Sequence, residues 1–146
     1  MSEMRLRPAE ASDADMLLAW RNDPVTRAAC ISQEPVARAD HVAWLERTLT
    51  NPKRRLLIIE RAGVGLGTAR FDYDEPTEFS ITVAPEHRGK AYALRMMKLA
   101  MSAETDFIAR VRQENRACQR LLRAAGMRLA EDGPLQLWIQ LAERAT

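Results

Sequence analysis

The stretch of sequence that decides the fold runs from residue 83 to residue 93 and reads Val-Ala-Pro-Glu-His-Arg-Gly-Lys-Ala-Tyr-Ala. It joins a predicted strand, residues 78–84, to a predicted helix of about residues 91–103. A glycine loop that enters a helix presents unpaired backbone N–H groups and the positive end of the helix dipole, which favour a phosphate or pyrophosphate. Arg88 and Lys90 would add charged donors. A solvated corner between strand and helix is the simpler alternative.

Before this stretch, the pattern predicts a strand, two helices and an antiparallel meander of three strands. Each helix has a polar capping residue at its start and a proline at its end. The predicted elements are a strand at residues 4–7, a helix opened by Ser12 and Asp15 and ended by Asp23 and Pro24, a helix capped by Asp40 over about residues 41–50, and strands at residues 56–61, 64–72 and 78–84.

After the stretch, the pattern predicts a strand at residues 107–112, a helix capped by Asn115 and stopped by Gly126, and two strands on either side of residues 132–133. The order of elements is therefore βααβββαβαββ. This order predicts a single α/β (α+β) domain over residues 1–146. A mixed, mostly antiparallel sheet of about seven strands would be flanked by four helices.

The second and third strands of the meander alternate polar and apolar side chains with a period of two. If their polar rows lie on one side of the sheet, that side is wet and available for chemistry. The rows consist of Thr68, Arg70 and Asp72 in one strand and Glu78, Ser80 and Thr82 in the other.

The composition is typical of a globular protein and disfavours several classes of function. The chain has 146 residues, of which 47% are hydrophobic and 29% charged. The longest aliphatic run, at residues 56–59, is too short to span a bilayer, so we expect a cytoplasmic protein without a membrane partner. The two cysteines and two histidines show no metal-ligand spacing, so no metal is expected. A net charge of +2, with both signs interleaved, gives no reason to expect nucleic acid.

The stretch at residues 83–93 resembles the acetyl-CoA pyrophosphate motif of the GNAT acetyltransferase superfamily, and the order of elements resembles that family over nearly the whole chain. The family motif is Arg or Gln, two residues, Gly, one residue, and Gly or Ala. Ala91 stands here in place of the first Gly. The resemblance implies acetyl-CoA as cosubstrate and the following cofactor-binding residues: Val83, Arg88, Gly89, Lys90, Ala91, Tyr92, Ala93 and Asn115.

A second feature of the family follows the strand at residues 107–112. It consists of an asparagine followed by a tyrosine and then a glycine at fixed spacing. Asn115 and Gly126 match the asparagine and the glycine. Leu122 stands where many members carry the tyrosine, which is thought to protonate the departing thiolate. A thiol with a pKa near 8.5 leaves as a fairly stable thiolate at neutral pH, so acid assistance is helpful but dispensable. The leucine therefore weakens the assignment of an acid and leaves the reaction intact.

The resemblance also implies a backbone N–H donor near Val83 for the developing oxyanion. It places Glu78 where many members carry a catalytic base, with Ser80 as a relay. A cross-strand partner of Arg70 is the simpler role for Glu78. A lysine amine with a pKa of about 10.4 is neutral in only about one molecule in 2,500 at pH 7, whereas an α-amine near 7.7 is neutral far more often. Since no histidine lies on that strand, the sequence favours an amine of low pKa.

A narrower resemblance concerns the acceptor. Residues 18–27 and 41–45 are similar to the corresponding segments of amino-sugar N-acetyltransferases of pseudaminic-acid-type pathways. This resemblance implies that the small-molecule amine is a nucleotide-activated amino sugar. We expect the protein to be a monomer or homodimer. Ribosomal-protein N-terminal acetyltransferases share part of this pattern, and a CoA-binding module without catalysis is a further alternative. The predicted substrate-binding residues are Trp20, Arg21, Asn22, His41, Trp44 and Arg70. Each of these residues also has a simpler explanation. The two tryptophans could pack in the core, Arg21 and Asn22 could simply end a helix, and His41 could lie on the surface.

Overall fold

The computed structural model describes residues 3–30, 32–88 and 92–141. The predicted cofactor-binding residues Gly89, Lys90 and Ala91 lie outside the described residues. None of the helices within the described ranges combines the length and the apolar character needed to cross a membrane.

In the described part of the chain, seven strands form one sheet in the order β1-β2-β3-β4-β5-β7-β6. Every neighbouring pair is antiparallel except β4 and β5, which are parallel. The predicted mixed, mostly antiparallel sheet is confirmed. The strands are β1 Met4–Pro8, β2 Arg54–Arg61, β3 Val64–Asp72, β4 Glu78–Val83, β5 Phe107–Arg112, β6 Arg128–Glu131 and β7 Leu135–Gln140.

The described residues form five α-helices, where the sequence predicts four. The additional helix is α2, which begins at the same Asp23 and Pro24 that end α1. The Asp23 carboxylate accepts the Thr26 N–H at 3.1 Å, and Pro24 stands at the first helical position, where its missing N–H is not needed. The helices are α1 Ala14–Asn22, α2 Pro24–Ala29, α3 Arg38–Thr50, α4 Ala93–Met101 and α5 Arg116–Ala124, with 3-10 turns at Ala11–Asp13 and Pro85–His87.

Two predicted helix caps are wrong. The chain enters α1 through a 3-10 turn, so the capping contact lies earlier than the predicted pair Ser12 and Asp15. Asp13 makes it, since its carboxylate accepts the Glu10 N–H at 2.8 Å. Asp40 lies inside the first turn of α3, because that helix begins two residues before it.

Helices cover both faces of the sheet, and the side chains of β2 alternate between the two faces. On the α4/α5 face, Leu57 and Ile59 pack with the buried Met96 and Leu122 in the larger part of the core. On the α1/α3 face, β2 contributes two side chains to a smaller cluster, which also contains residues of α1 and α3. The buried members of this smaller cluster are Ala9, Leu17, Trp20, Leu45, Leu56, Ile58 and Ala84.

Candidate active site

The polar side chains of β3 and β4 lie together on the α1/α3 face of the sheet. Arg70 is opposite Leu56 of β2, which belongs to the core cluster of that face. The polar rows predicted from the alternation therefore form one surface. Its cross-strand pairs are Thr68 with Thr82, Arg70 with Ser80, and Asp72 with Glu78.

A cavity of about 420 Å³ lies between this polar surface and helices α1 and α3. Its volume suits a small organic molecule. The predicted catalytic and substrate-binding residues that line it are Trp20, Arg21, His41, Trp44, Arg70 and Ser80. The other lining residues are Leu17, Val36, Asp40, Leu56, Thr68 and Thr82. The strand period places the two threonines in the same polar rows as Arg70 and Ser80, whereas no local signal marks Val36.

Three charged residues line the cavity within the described ranges: Arg21, Arg70 and Asp40. Arg21 donates from Nη2 to the Ser32 carbonyl at 2.7 Å, and its buried Nη1 has no hydrogen-bond partner among the described residues. The Arg70 guanidinium lies over the Trp44 ring, 5.9 Å from the ring centre. Two guanidiniums and one exposed carboxylate give the cavity wall a positive character.

Glu78 does not pair with Arg70, which was the alternative to its predicted role as a base. Arg70 Nε lies 3.1 Å from a carboxylate oxygen of Asp72 on its own strand. Glu78 lies where β4 meets β5, and its carboxylate accepts from Arg110 Nε of β5 at 3.0 Å. Glu78 is also absent from the described residues that line the cavity. The carboxylate proposed as a base is thus part of an ion pair outside the cavity.

His41 lies in the cavity wall and is 4% exposed, rather than at a plain surface position. Its ring stacks on Trp44 with the ring centres 5.5 Å apart. Burial, with a smaller contribution from the positive charge of Arg21, lowers the pKa of His41 below its ordinary value. The imidazole is therefore neutral at pH 7.

Asn22 and Trp20 have structural roles that the sequence left open. The Asn22 amide donates to the Val36 carbonyl and accepts the Val36 N–H, both at 2.8 Å, so its side chain fixes one wall of the cavity and does not line the cavity itself. Trp20 is 4% exposed and belongs to the core cluster of the α1/α3 face. Trp20 is therefore both a core residue and part of the cavity wall.

Strands β4 and β5 separate after their first residues. Their register contains one pair in the described part of the chain, Glu78 with Ile108, and the Ile108 N–H donates to the Thr77 carbonyl at 2.8 Å. Backbone polar groups of successive strand residues point to opposite sides, so Ile81 and Val83 direct their N–H groups to the β5 side beyond this pair. A ligand that enters between the strands would meet these two amides, and the role of Val83 in binding it stays a prediction.

Three predicted cofactor-binding residues have partners within the protein. Arg88 donates to the carboxylate of Asp23 at 2.6 Å and also to the Thr26 hydroxyl. The Tyr92 hydroxyl accepts from Arg61 at 2.9 Å. Asn115 caps α5, as predicted, since its side chain accepts the Cys118 N–H at 3.2 Å. Ala93 is the first residue of α4.

Leu122 of α5 is buried in the core, and Cys118 of the same helix packs against that core partly buried. Leu122, at the position of the family's tyrosine, is 1% exposed in the core of the α4/α5 face. Burial raises the pKa of Cys118 to about 11, so its thiol stays protonated at neutral pH. Within the described ranges, no group of three or more His, Cys, Asp or Glu side chains is arranged to hold a metal ion.

A family model described as acetyltransferase (GNAT) domain matches residues 3–128, and the chain belongs to this family. The fold resembles the spermidine N-acetyltransferase from Vibrio cholerae in complex with CoA and spermine, with a TM-score of 0.83 and 18% identity over 94% of this chain and 95% of that chain. It also resembles YncA from Salmonella typhimurium with its cofactor acetyl-CoA, with a TM-score of 0.74 and 24% identity over 99% of this chain and 98% of that chain. No curated protein matches this sequence.

Membership of the GNAT family confirms the fold class and the class of reaction predicted from residues 83–93. The chain is an N-acetyltransferase that uses acetyl-CoA and acts on an amine. Which amine accepts the acetyl group depends on the residues that line the cavity.

Proposed function

We propose that this chain transfers the acetyl group of acetyl-CoA to the primary amine of an acceptor that carries an anionic group, specifically a nucleotide-activated amino sugar. The single observation that carries the proposal is the pair of arginines in the cavity wall, Arg21 and Arg70. A sugar ring would lie between the tryptophans and the strand threonines, with its phosphate near the guanidiniums. The similarity of residues 18–27 and 41–45 to amino-sugar acetyltransferases supports the same acceptor.

The unsatisfied donor of Arg21 strengthens this argument. Burying an N–H group of a guanidinium without a partner costs folding free energy, typically about 1–3 kcal/mol for a buried donor and more for a charged one. Arg21 Nη1 is such a group. An anionic oxygen would satisfy it with a charge-assisted hydrogen bond, which is stronger than a neutral one.

The same charges argue against a polyamine acceptor. A polycation would meet two guanidiniums in the cavity wall and one exposed carboxylate, Asp40. Like charges repel each other at short range, and such repulsion contributes to ligand specificity as attraction does. The likeness to spermidine N-acetyltransferase, at 18% identity, concerns the fold.

The residues present also fit acetyl-CoA. The N–H groups of Ile81 and Val83 would donate to a carbonyl oxygen that gains negative charge. Arg88 and the start of α4 at Ala93 would hold the pyrophosphate. When bound, the cosubstrate would supply an acetyl thioester whose thiolate is stable enough to leave near neutral pH, so the absence of a tyrosine at Leu122 is compatible with turnover.

The test is an acceptor panel with release of free thiol as the readout. We expect turnover of acetyl-CoA with UDP-amino sugars and little or none with spermidine. Turnover only with peptides would replace the amino sugar by a protein N-terminus. A rise in melting temperature with acetyl-CoA, without turnover on any amine, would support the CoA-binding module instead.

A substitution of Arg21 tests the charge argument directly. We expect Arg21→Met to raise the KM for the amino-sugar nucleotide about tenfold or more, with a smaller effect on kcat, because one charge-assisted contact is lost. Arg47→Met is the matched control, since Arg47 is exposed on α3 and does not line the cavity. Equal KM values in the two variants would remove Arg21 from the acceptor site.

A further inference from the structure

His41 has a buried nitrogen that nothing in the described structure satisfies. The residue lies in the first turn of α3 and in the cavity wall, and its Nε2 atom is buried without a hydrogen-bond partner among the described residues. Buried polar atoms in folded proteins nearly always have a partner, so an exception calls for an explanation. A ligand in the cavity would provide the missing partner.

The Ala14 backbone bears on which ring nitrogen of His41 carries the proton. His41 makes a hydrogen bond to this backbone that favours the protonated nitrogen, so the partner is the Ala14 carbonyl oxygen. Since Nε2 has no partner, we assign the contact with this carbonyl to Nδ1. In a neutral imidazole, a protonated Nδ1 leaves Nε2 with a free lone pair. Nε2 is therefore a proton acceptor.

The groups around His41 keep the ring neutral. The charged residues that line the cavity in the described ranges are Arg21 from α1, Arg70 from β3 and Asp40 from α3, while β4 contributes only hydroxyl groups. Asp40 is exposed, whereas His41 is buried. Burial and the charge of Arg21 both lower the pKa of the imidazole.

The other candidate for a base, Glu78, makes an ion pair outside the cavity. Glu78 is held by Arg110 at 3.0 Å and does not line the cavity. Ser80 lines the cavity, but a hydroxyl is a poor base without a partner that accepts its proton. His41 is thus the buried proton acceptor among the described lining residues.

We propose that His41 Nε2 accepts the proton that the acceptor amine loses during acetyl transfer. This inference rests on the proposed function. The amine nitrogen forms a bond to the acetyl carbon, the carbon–sulfur bond breaks with its electron pair on sulfur, and an N–H bond breaks with its electron pair left on nitrogen. The proton moves to Nε2, and the resulting imidazolium returns it to solvent after the product leaves.

The wild-type protein provides the first test. The chain contains only two histidines, His41 and His87, so both imidazole resonances can be followed by NMR as the pH is changed. The resonance that is missing from the spectrum of His41→Gln is assigned to His41. Because the acceptor amine must also be neutral, we expect two ionisations on the acidic limb of kcat/KM. One should move with the pKa of the acceptor amine, and the other should stay fixed and coincide with the titration of His41 in the free enzyme. An acidic limb that contains only the ionisation of the acceptor amine, or a fixed ionisation that does not match His41, would overturn the proposal.

The variant provides the second test. We expect His41→Gln to lower kcat/KM about 100-fold and to abolish the fixed ionisation while leaving that of the acceptor amine, with acetyl-CoA affinity unchanged by calorimetry. Glu46→Gln, exposed on the same helix, is the control for changes to α3. A variant that retains both the wild-type rate and the fixed ionisation would reject His41 as the base. Absence of turnover by the wild-type protein with every amine would instead reject the proposed function.

Discussion

Arg88 donates a 2.6 Å hydrogen bond to the carboxylate of Asp23, a residue 65 positions away in sequence. Asp23 also caps α2 through the Thr26 N–H, and Arg88 donates to the Thr26 hydroxyl. The arginine expected to bind pyrophosphate is thus joined to the corner between α1 and α2. The carboxylate of Asp23 and an anionic ligand would compete for the same guanidinium.

The first prediction follows from this competition. We expect Asp23→Asn to tighten acetyl-CoA binding several-fold, because asparagine retains the capping role but carries no charge to neutralise Arg88. Calorimetric titrations at low and high salt measure the effect, which should shrink as salt screens the charges. Asp15→Asn, which removes an exposed carboxylate of α1, is the control. Unchanged or weaker binding in Asp23→Asn would show that the ion pair does not compete with the cofactor.

The second prediction concerns Glu78. We expect Glu78→Gln to lower kcat by no more than about threefold, whereas loss of a general base costs about 100-fold or more. The glutamine oxygen can still accept from Arg110, so the local structure should remain. Steady-state rates across the pH range provide the measurement. A loss of 100-fold, together with loss of the ionisation on the acidic limb that does not follow the acceptor amine, would restore Glu78 as the base.

The third prediction concerns the stability of the entry to α1. The Arg7 guanidinium donates to both carboxylate oxygens of Asp13, at 2.8 and 2.9 Å, and Asp13 is 8% exposed. We expect Asp13→Asn to lower the free energy of unfolding at pH 7 by about 2 kcal/mol, less than for a fully buried pair because Arg7 is partly exposed. Urea unfolding measures the change, with exposed Asp15→Asn as the control. A loss no larger than that of the control would contradict this role.

The pH dependence of the same ion pair has a definite sign. The hydrogen bonds from Arg7 hold the pKa of Asp13 below its ordinary value. The contribution of Asp13 to stability is therefore present above the unfolded pKa of about 3.9 and is lost as the pH falls through the folded pKa. The difference between wild type and Asp13→Asn should shrink on acidification, as unfolding curves at neutral and acidic pH would show.

The fourth prediction tests the position of the family's tyrosine. Leu122 is 1% exposed in the core, so a larger polar side chain has no space or partner there. We expect Leu122→Tyr to lower the free energy of unfolding by about 1–3 kcal/mol and to leave kcat no higher than in wild type. Thermal unfolding and steady-state rates measure the two effects. A rise in kcat would show that the tyrosine reaches the reacting sulfur.

Local patterns in the sequence were sufficient to predict the strands and most helices, because each depends on residues within a few positions. The period of two in β3 and β4 correctly predicted one polar surface. The pair Asp23 and Pro24 was ambiguous, since the same two residues that stop one helix are also a good start for the next. The sequence predicted the stop and missed α2.

The partners of the site residues were harder to predict, because they come from distant parts of the chain. Arg110 reaches Glu78 only because β4 and β5 are parallel neighbours at their first residues. The cavity position of His41 depends on how α3 packs against the sheet, which no local period describes. The pattern could therefore identify His41 as a candidate but not as a buried residue with a free nitrogen.

The last prediction concerns the contact between Gly67 of β3 and the backbone of Thr82 in β4. A Cβ atom on Gly67 would lie 2.1 Å from the Thr82 carbonyl oxygen and 2.7 Å from Met96 Cε. The methionine side chain can move, but the backbone of β4 can move only if Ile81 and Val83 shift with it. We expect Gly67→Ala to lower the free energy of unfolding by about 3 kcal/mol and to weaken acetyl-CoA binding.

Gly65 provides the matched control on the same strand. Its Cβ would lie 2.9 Å from Met16 Sδ and 3.0 Å from Trp20 Cη2, and the first of these is a flexible side chain that can give way. Gly65→Ala should therefore cost less stability than Gly67→Ala and leave acetyl-CoA affinity near the wild-type value. Thermal unfolding and calorimetric titration of both variants measure the difference. Equal stabilities and affinities would show that β4 tolerates displacement, and the amides of Ile81 and Val83 would then not be rigidly held for the reaction.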